Sequence, residues 1–245
     1  MATAQWSRWS KLRWLLRSQG IGGLIEELEA RLRYQATHRT EGIPDHVFRA
    51  RDWDRRRGVE TEDRVDEKEL DTDSPNREHA LGYIPTSQWS FRAVVGSLWD
   101  LGVRPSEFTL VDLGCGKGRV LLMALEAGFR AAIGVEFAPE LARIAAENLR
   151  SYRGRLGAAS VHCGDAAAFP IPQDPVVLFI NNPFRGPVLE AVAENMRCSF
   201  AGHPRAIYVV YLFPRADSPF ARGAPFTLVE SGPNYAIYRL EAHPA

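Results

Sequence analysis

Three glycines at alternate positions, set between two apolar runs, constrain the fold of this 245-residue chain more than any other feature. They are Gly114, Gly116 and Gly118. The run before them, 108–111, is apolar and β-branched and leads into Asp112, whereas the run from 120 to 125 has helical spacing. The pattern predicts a buried strand, a tight glycine turn and a helix. In such a turn a ligand can approach the backbone and face the electropositive helix N-terminus.

The spacing of the glycines narrows the choice of ligand. A dinucleotide-binding turn has the form G-x-G-x-x-G, in which the helix N-terminus faces a pyrophosphate. Counted from Gly114, the third glycine of that form would fall on Arg119, which excludes the usual dinucleotide turn. The loop taken alone also fits a glycine-rich turn without a ligand, or a nucleotide turn of another kind.

Polar residues end each of the next three predicted strands. Glu136 lies 22 residues after Gly114, close to the spacing at which an α/β nucleotide site places its ribose-binding carboxylate. Asp165 and the sequence Asn-Asn-Pro-Phe at 181–184 end the two strands that follow. Because the carboxyl ends of parallel strands converge on one crevice, we expect these side chains to share a site.

This ordered set of motifs, over about residues 105–245, resembles the class I S-adenosylmethionine (SAM) methyltransferases. The resemblance implies an α/β fold with a doubly wound, mostly parallel seven-stranded sheet, with SAM as cofactor and S-adenosyl-L-homocysteine (SAH) as product. In that family the acid and glycine loop hold the methionine part, the second acid holds the ribose, and the third holds the adenine. The cofactor-binding residues so implied are Thr86, Asp112, Gly114, Gly116, Gly118, Glu136, Phe137, Asp165, Ala166 and Asn181.

The sequence at 181–184 bears on the methyl acceptor. It is similar to the Asn-Pro-Pro-Phe motif of amino-methyltransferases, in which an amide oxygen and a carbonyl accept the target N–H bonds and the aromatic ring stacks on the substrate. Asn181 and Phe184 match that motif, whereas Asn182 stands where its first proline should be. The paired asparagines also resemble the non-SET histone-lysine methyltransferases. The alternative is that these residues merely cap and turn the chain after the strand.

A segment upstream of the glycine loop also resembles the lysine-methylating relatives. There, a Tyr-x-x-x-Thr-like element contacts the methionine end of the cofactor, and Tyr83 and Thr86 could do the same. The acceptor-side, catalytic residues implied by the resemblance are therefore Asn181, Phe184 and Tyr83. The alternative is that Thr86 or Ser87 is a helix N-cap, with Tyr83 packed beneath it.

The sequence predicts two parts, an N-terminal helical extension at 1–85 and a SAM-binding domain at 86–245. Candidate helices lie at 7–17 and 23–34, and the stretch 59–80, with nine acidic and three basic residues, indicates a solvated linker or mobile loop. Tryptophans and basic residues between 6 and 17 could bind a membrane surface or a nucleic acid. Because the amphipathic split of this segment is poor, the favoured interpretation is a lid helix packed on the core or on a second copy in a homodimer.

Composition and histidine placement complete the functional prediction. No apolar run is long enough to span a membrane, and three scattered cysteines without a Cys-x-x-Cys pair favour a reducing cytoplasm and no metal site. An excess of arginine over lysine suggests a bacterial source. None of the six histidines is placed as a general base, which favours a nitrogen over an oxygen acceptor.

The predicted function is SAM-dependent methyl transfer to nitrogen, with a protein or peptide amine as the acceptor. A small-molecule N- or O-methyltransferase is the alternative, and nucleic acid ranks below both because the near-neutral domain offers no strong field for phosphates. A non-catalytic SAM-fold binding or regulatory subunit is a further alternative.

Overall fold

The computed structural model describes residues 53–70, 77, 81–154 and 157–241. Its seven strands are β1 Thr109–Leu113, β2 Ala131–Glu136, β3 Ala158–Cys163, β4 Val176–Ile180, β5 Ile207–Leu212, β6 Phe226–Ser231 and β7 Tyr235–Leu240. The longer helices are α1 Gln88–Asp100, α2 Arg119–Glu126, α3 Pro139–Ser151 and α4 Pro187–Gly202. The apolar runs predicted at 108–111 and 120–125 correspond to β1 and α2, with bounds that agree to within two residues.

The strands form one sheet in the order β3-β2-β1-β4-β5-β7-β6. Neighbouring strands from β3 to β5 are parallel, whereas β7 pairs antiparallel with both β5 and β6. The chain therefore runs outward from β1 to β3, crosses back to β4 and ends in an antiparallel hairpin. This arrangement confirms the predicted class I methyltransferase fold, and it places the topological switch point between β1 and β4.

The centre of the sheet is buried on both faces, which explains why β4 is a continuous apolar run and why only Thr109 and Asp112 interrupt the apolar residues of β1. Leu110, Val177 and Phe179 face a core that includes buried residues of α1 and α2. Val111 and Leu178 face the opposite core, together with α4. The carboxyl ends of these strands are consequently held rigidly at one edge of the sheet.

The acidic stretch differs from its prediction as a solvated linker. In the part that the structure describes, Thr61 and Leu70 are buried, and the Glu60 backbone pairs with the Asn148 side chain. The composition of this segment, with its many carboxylates, indicated a solvated linker. A few buried residues and long-range polar contacts instead hold the segment against the rest of the structure. The candidate helices at 7–17 and 23–34 lie outside the described residues, and the boundary at 85/86 stays a prediction.

Candidate active site

A pocket opens at the carboxyl ends of β1, β2 and β4, with about 820 Å³ of empty space including its mouth. The predicted site residues that line it are Tyr83, Thr86, Asp112, Gly114, Gly116, Glu136, Phe137, Asp165, Ala166, Asn181 and Phe184. The fold thus brings together residues that are up to 101 positions apart in the sequence.

The glycine loop needs all three glycines, but only two of them face the pocket. Gly114, Gly116 and Gly118 have φ angles of +82°, +53° and +81°, which side chains adopt only with strain. A Cβ at Gly114 would lie 2.3 Å from the Pro183 side chain, so the loop and the 181–184 turn touch directly. Gly118 does not line the pocket: it is the N-cap residue of α2, with Ala145 behind it.

Asp112 ends β1 as a buried carboxylate in the pocket wall. It is only 2% exposed, and no described residue donates a hydrogen bond to it. Burial, with a smaller contribution from the Glu136 charge, raises the pKa of Asp112 well above its ordinary value. A buried acid without a partner is suited to a cationic ligand group, which would supply the missing compensation.

Glu136 is equally buried but is already held by the backbone. Its Oε2 accepts from the Gly116 amide at 2.8 Å, and its Oε1 accepts from the Ala138 amide at 3.0 Å. Burial raises the pKa of Glu136, and these backbone hydrogen bonds partly offset the rise. The carboxylate therefore shapes the glycine loop as well as facing the pocket.

The third acid, Asp165, also lines the pocket. The Asp165 carboxylate accepts a hydrogen bond from the Ala167 amide at 2.9 Å and caps the short helical turn Ala166–Ala168. Ala166 and Phe137 line the same region. The predicted acids at the ends of three adjacent strands, β1, β2 and β3, are thus spread along one pocket.

Asn181 is fixed in orientation by its amide group. Its Nδ2 donates to Thr86 Oγ1 at 2.8 Å and lies 3.4 Å from the Ile84 carbonyl. Because the Ile84 carbonyl can only accept, the nitrogen must be on that side, and Oδ1 is the acceptor left available. Ser87 is the N-cap residue of α1, so Thr86 contacts Asn181 instead of capping the helix.

The turn after β4 differs from an Asn-Pro-Pro-Phe turn. Asn182 has a φ of +50°, whereas a proline ring fixes φ near −65°. The backbone here therefore takes a conformation that proline cannot adopt, which explains the departure from that motif. Phe184 is 7% exposed and packs with Val188 in the core beneath the pocket, so its ring forms part of the pocket wall.

The Tyr83 side chain lines the pocket, its hydroxyl is bound to the backbone, and its catalytic role stays a prediction. The hydroxyl donates to the Thr61 carbonyl at 2.6 Å, while the ring lies against Gly116. Burial raises the pKa of Tyr83 well above its ordinary value, so the hydroxyl stays protonated and acts as a donor. The Tyr83 side chain therefore forms part of the pocket wall, and the hydrogen bond from its hydroxyl to the Thr61 carbonyl holds it in place.

Sequence reasoning missed a set of residues that hold this wall. Arg119, used above only to exclude a dinucleotide turn, is buried and bonds to Asp54 and Thr61. Its one sequence signal is a basic residue at the start of a helix, where the helix dipole disfavours positive charge. Cys115 is buried in the loop, and burial raises the pKa of its thiol well above the ordinary value.

The pocket lining offers acids but neither lysine nor histidine among the described residues. His162 lies beside Phe169, with ring centroids 5.6 Å apart, and His203 follows α4; neither lines the pocket. In the described part of the chain, no group of three or more His, Cys, Asp or Glu residues could hold a metal. No helix there is long and apolar enough to cross a bilayer.

Comparison with known proteins gives one family match. Residues 110–198 match the model of a methyltransferase domain. No curated protein matches the chain.

Solved structures resemble the fold at low sequence identity. The candidate methyltransferase yhhF of Escherichia coli is 19% identical over 64% of this chain and 89% of that one, with a TM-score of 0.49. An RNA methyltransferase of Salinibacter ruber, solved with SAH, is 22% identical over 66% and 97%, with a TM-score of 0.44. Magnesium protoporphyrin IX methyltransferase of Synechocystis, solved with SAM, is 16% identical over 62% and 77%, with a TM-score of 0.43.

Proposed function

We propose that this SAM-dependent methyltransferase transfers its methyl group to the nitrogen of a protein or peptide amine. The enzyme class and the cofactor rest on the methyltransferase domain at 110–198. That segment contains Asp112, Glu136, Asp165 and Asn181, the polar ends of four parallel strands. The acceptor and the residue roles that follow are the proposal.

The pocket fits SAM by the chemistry of its donors and acceptors. Asp112 and the backbone at Gly114 and Gly116 would hold the methionine part, because a buried acid without a partner suits an ammonium group. Glu136 would accept from the ribose hydroxyls, and Asp165 would accept from the adenine amino group beside Phe137 and Ala166. When bound, SAM supplies a methyl group on a positively charged sulfur.

The electrostatics of the lining also favour cations. Three carboxylates face the pocket, whereas the charge of the one lining arginine, Arg119, is paired with Asp54 at 3.1 Å. This excess of negative charge attracts the cationic cofactor and an amine acceptor, and it repels phosphates. It therefore supports an amine over a nucleic acid.

The orientation of Asn181 is the observation that carries the acceptor assignment. With its Nδ2 bound to Thr86 and directed to Ile84, its Oδ1 would accept an N–H bond of the substrate and aim the nitrogen lone pair. Asn181 would thereby aim the amine at the methyl group that bound SAM would supply, with the electron pair of the carbon–sulfur bond left on sulfur. Such a displacement needs alignment more than covalent help, and the displaced proton leaves to water.

The described lining of the pocket has no histidine or lysine base for the acceptor, and its three carboxylates are assigned above to the cofactor, which supports nitrogen over oxygen. A hydroxyl acceptor usually needs a nearby group to remove its proton, whereas a neutral amine already has a free lone pair. No histidine or lysine lines the described pocket, and the Tyr83 hydroxyl is bound to a backbone carbonyl. An amine is thus the acceptor that this set of side chains can serve.

The exposed part of the pocket wall beside Asn181 supports a methyl acceptor that is carried by a larger molecule. Ile84, which lies against Asn181, is 57% exposed and is the one exposed residue among the described lining. Trp89, in the first turn of α1, is 49% exposed. An acceptor side chain can therefore enter next to Asn181 while the rest of its polypeptide stays outside.

The test begins with labelled SAM and a cell lysate separated into protein, nucleic acid and small-molecule fractions. The proposal expects label on protein or peptide amines. Label confined to small molecules, or to nucleic acid, would overturn the acceptor class while leaving the enzyme class intact.

The residue assignment is tested with the acceptor so identified. Asn181→Ala should reduce turnover at least 100-fold with little change in the dissociation constant for SAH. Thr86→Val, which removes only the partner of the Asn181 amide, should lower kcat about tenfold. Asn195→Ala is the matched control, since the Asn195 amide bonds to the Phe169 carbonyl away from the pocket. Wild-type turnover in Asn181→Ala would remove the assignment.

A further inference from the structure

A segment outside the α/β domain completes the cofactor pocket. We call residues 53–70 the strap. It bonds to Lys117 of the glycine loop and to Arg119, the first residue of α2, and its last residue, Leu70, lines the pocket. Leu70 packs with Ala138 and Leu141, which follow Glu136 in the chain.

Arg119 is the first anchor of the strap. Although only 2% exposed, its guanidinium donates to Asp54 Oδ1 at 3.1 Å and to Thr61 Oγ1 at 2.8 Å, and it lies 4.5 Å from the centre of the Trp53 ring. Burial lowers the pKa of Arg119, and the Asp54 charge opposes this change. A cation buried at the start of a helix is unfavourable unless a partner compensates it. In the structure that partner belongs to the strap.

Asn148 is the second anchor and joins the strap to α3 and to the glycine loop. Its Oδ1 accepts from the Glu60 amide at 2.8 Å, while its Nδ2 donates to the Glu60 carbonyl at 2.8 Å and to the Lys117 carbonyl at 2.9 Å. The Lys117 ammonium also pairs with the Glu60 carboxylate at 2.7 Å. The strap is therefore fixed to α3 and to the glycine loop at the same point.

Two contacts between the strap and Tyr83 carry this fixation into the pocket. The Thr61 carbonyl accepts from the Tyr83 hydroxyl at 2.6 Å, and the strap forms an antiparallel bridge between Val65 and Tyr83. The Tyr83 ring lies so close to Gly116 that a Cβ there would be 2.0 Å from it. The position of the ring is thus set by the strap on one side and by the glycine loop on the other.

We propose that Arg119 and Asp54 are positioning residues for cofactor binding, acting through the strap to hold Tyr83 and Leu70 as pocket walls. Cofactor binding and docking of the strap are then coupled: a strap that is released weakens SAM and SAH binding. By the reciprocity of linkage, bound cofactor stabilises the docked strap by the same factor. This inference rests on the use of SAM, not on the acceptor, so it stands or fails separately from the amine assignment.

The test measures SAH binding by calorimetry, which needs no acceptor and no turnover. Arg119→Met and Asp54→Asn should each weaken SAH binding about tenfold, a coupling within the usual range for linked sites. Tyr83→Phe keeps the ring but removes the bond to Thr61, and should weaken SAH binding about fivefold. Arg143→Met, which removes an exposed pair with Glu147 on α3, is the matched control and should bind SAH normally.

A second readout separates positioning from general stability. In the wild type, SAH should slow hydrogen exchange at the strap amides of Thr61 and Val65, and this protection should be lost in Arg119→Met. The proposal would be overturned if Arg119→Met and Tyr83→Phe fold and bind SAH with wild-type affinity. It would also be overturned if SAH does not change the rate of hydrogen exchange at the strap amides of the wild type. If Arg119→Met does not fold, the result for Tyr83→Phe decides, because that variant lacks a single oxygen atom.

Discussion

Asp112→Asn is expected to stabilise the cofactor-free protein, whereas Glu136→Gln is expected to destabilise it. Both replacements neutralise a carboxylate that is at most 3% exposed in the same pocket and nearly keep its shape. The two carboxylates differ in their partners. Among the described residues none donates to Asp112, while the Gly116 and Ala138 amides donate to Glu136.

The magnitudes follow from that difference. Burying a charge without a partner costs several kcal/mol, and the asparagine amide left in its place costs about 1–3 kcal/mol, so Asp112→Asn should gain about 1–2 kcal/mol. In a domain of this size, that raises Tm by about 2–8 °C. In Glu136→Gln, the new amide nitrogen must face one of the two backbone amides. Leaving that donor unpaired costs about 1–3 kcal/mol, partly offset by the lost burial of charge.

The pH dependence of the free energy of unfolding independently tests whether the Asp112 charge destabilises the folded protein. Burial raises the pKa of both acids in the folded state, so the folded protein binds more protons than the unfolded chain at pH values just above the ordinary pKa. The free energy of unfolding contributed by these groups is therefore greatest at low pH. It falls as the pH rises from the ordinary values, 3.8 and 4.5, through the raised ones. Asp112→Asn should flatten that fall.

The assay is urea unfolding of protein freed of SAM, followed by tryptophan fluorescence at several pH values between 4 and 8. At neutral pH, the free energy of unfolding should be higher than that of the wild type in Asp112→Asn and lower in Glu136→Gln. A loss of stability in Asp112→Asn comparable to that in Glu136→Gln would refute the reasoning, because it would mean that Asp112 has a compensating partner in the apo protein.

Two further predictions concern the glycine loop. Gly114→Ala should lower the free energy of unfolding by about 2–4 kcal/mol, because φ at this position is +82° and the new Cβ would contact Pro183. Gly128→Ala is the control: φ there is +83°, but a Cβ would have no atom within 4 Å, so the loss should be only about 1–2 kcal/mol. Equal losses in urea unfolding would show that the contact with Pro183 is irrelevant. In thiol labelling of the native protein, Cys163 and Cys198 should react and buried Cys115 should react only on unfolding. Native reaction of Cys115 would contradict the packing of the loop.

The sheet and the cofactor-side acids were predictable because they leave local patterns. Strands buried on both faces are runs of apolar residues, as in β1 and β4, and a polar residue at the end of each such strand must lie at the edge where the pocket forms. The glycines of the loop are likewise visible, since their φ angles tolerate few other residues. Asp112, Glu136 and Asp165 were therefore located in the pocket from the sequence, although their roles remain proposals.

The strap could not be predicted because its contacts are long-range. Arg119 and Asp54 are 65 positions apart, and nothing local marks either as the partner of the other. Composition pointed the wrong way, since the carboxylates of 60–69 indicated solvation while Thr61 and Leu70 decide the packing. The positive φ of Asn182 could not be predicted from the sequence either. Asparagine tolerates that conformation better than most residues, but it does not require it.

Titration of the purified protein with SAH, by calorimetry, tests the central claim that this pocket is the cofactor site. We expect one molecule of SAH per chain with wild-type protein, and an affinity at least 100-fold weaker in Asp112→Asn even though that variant is more stable to urea. Absence of SAH binding by the wild type, or unchanged affinity in Asp112→Asn, would contradict the account.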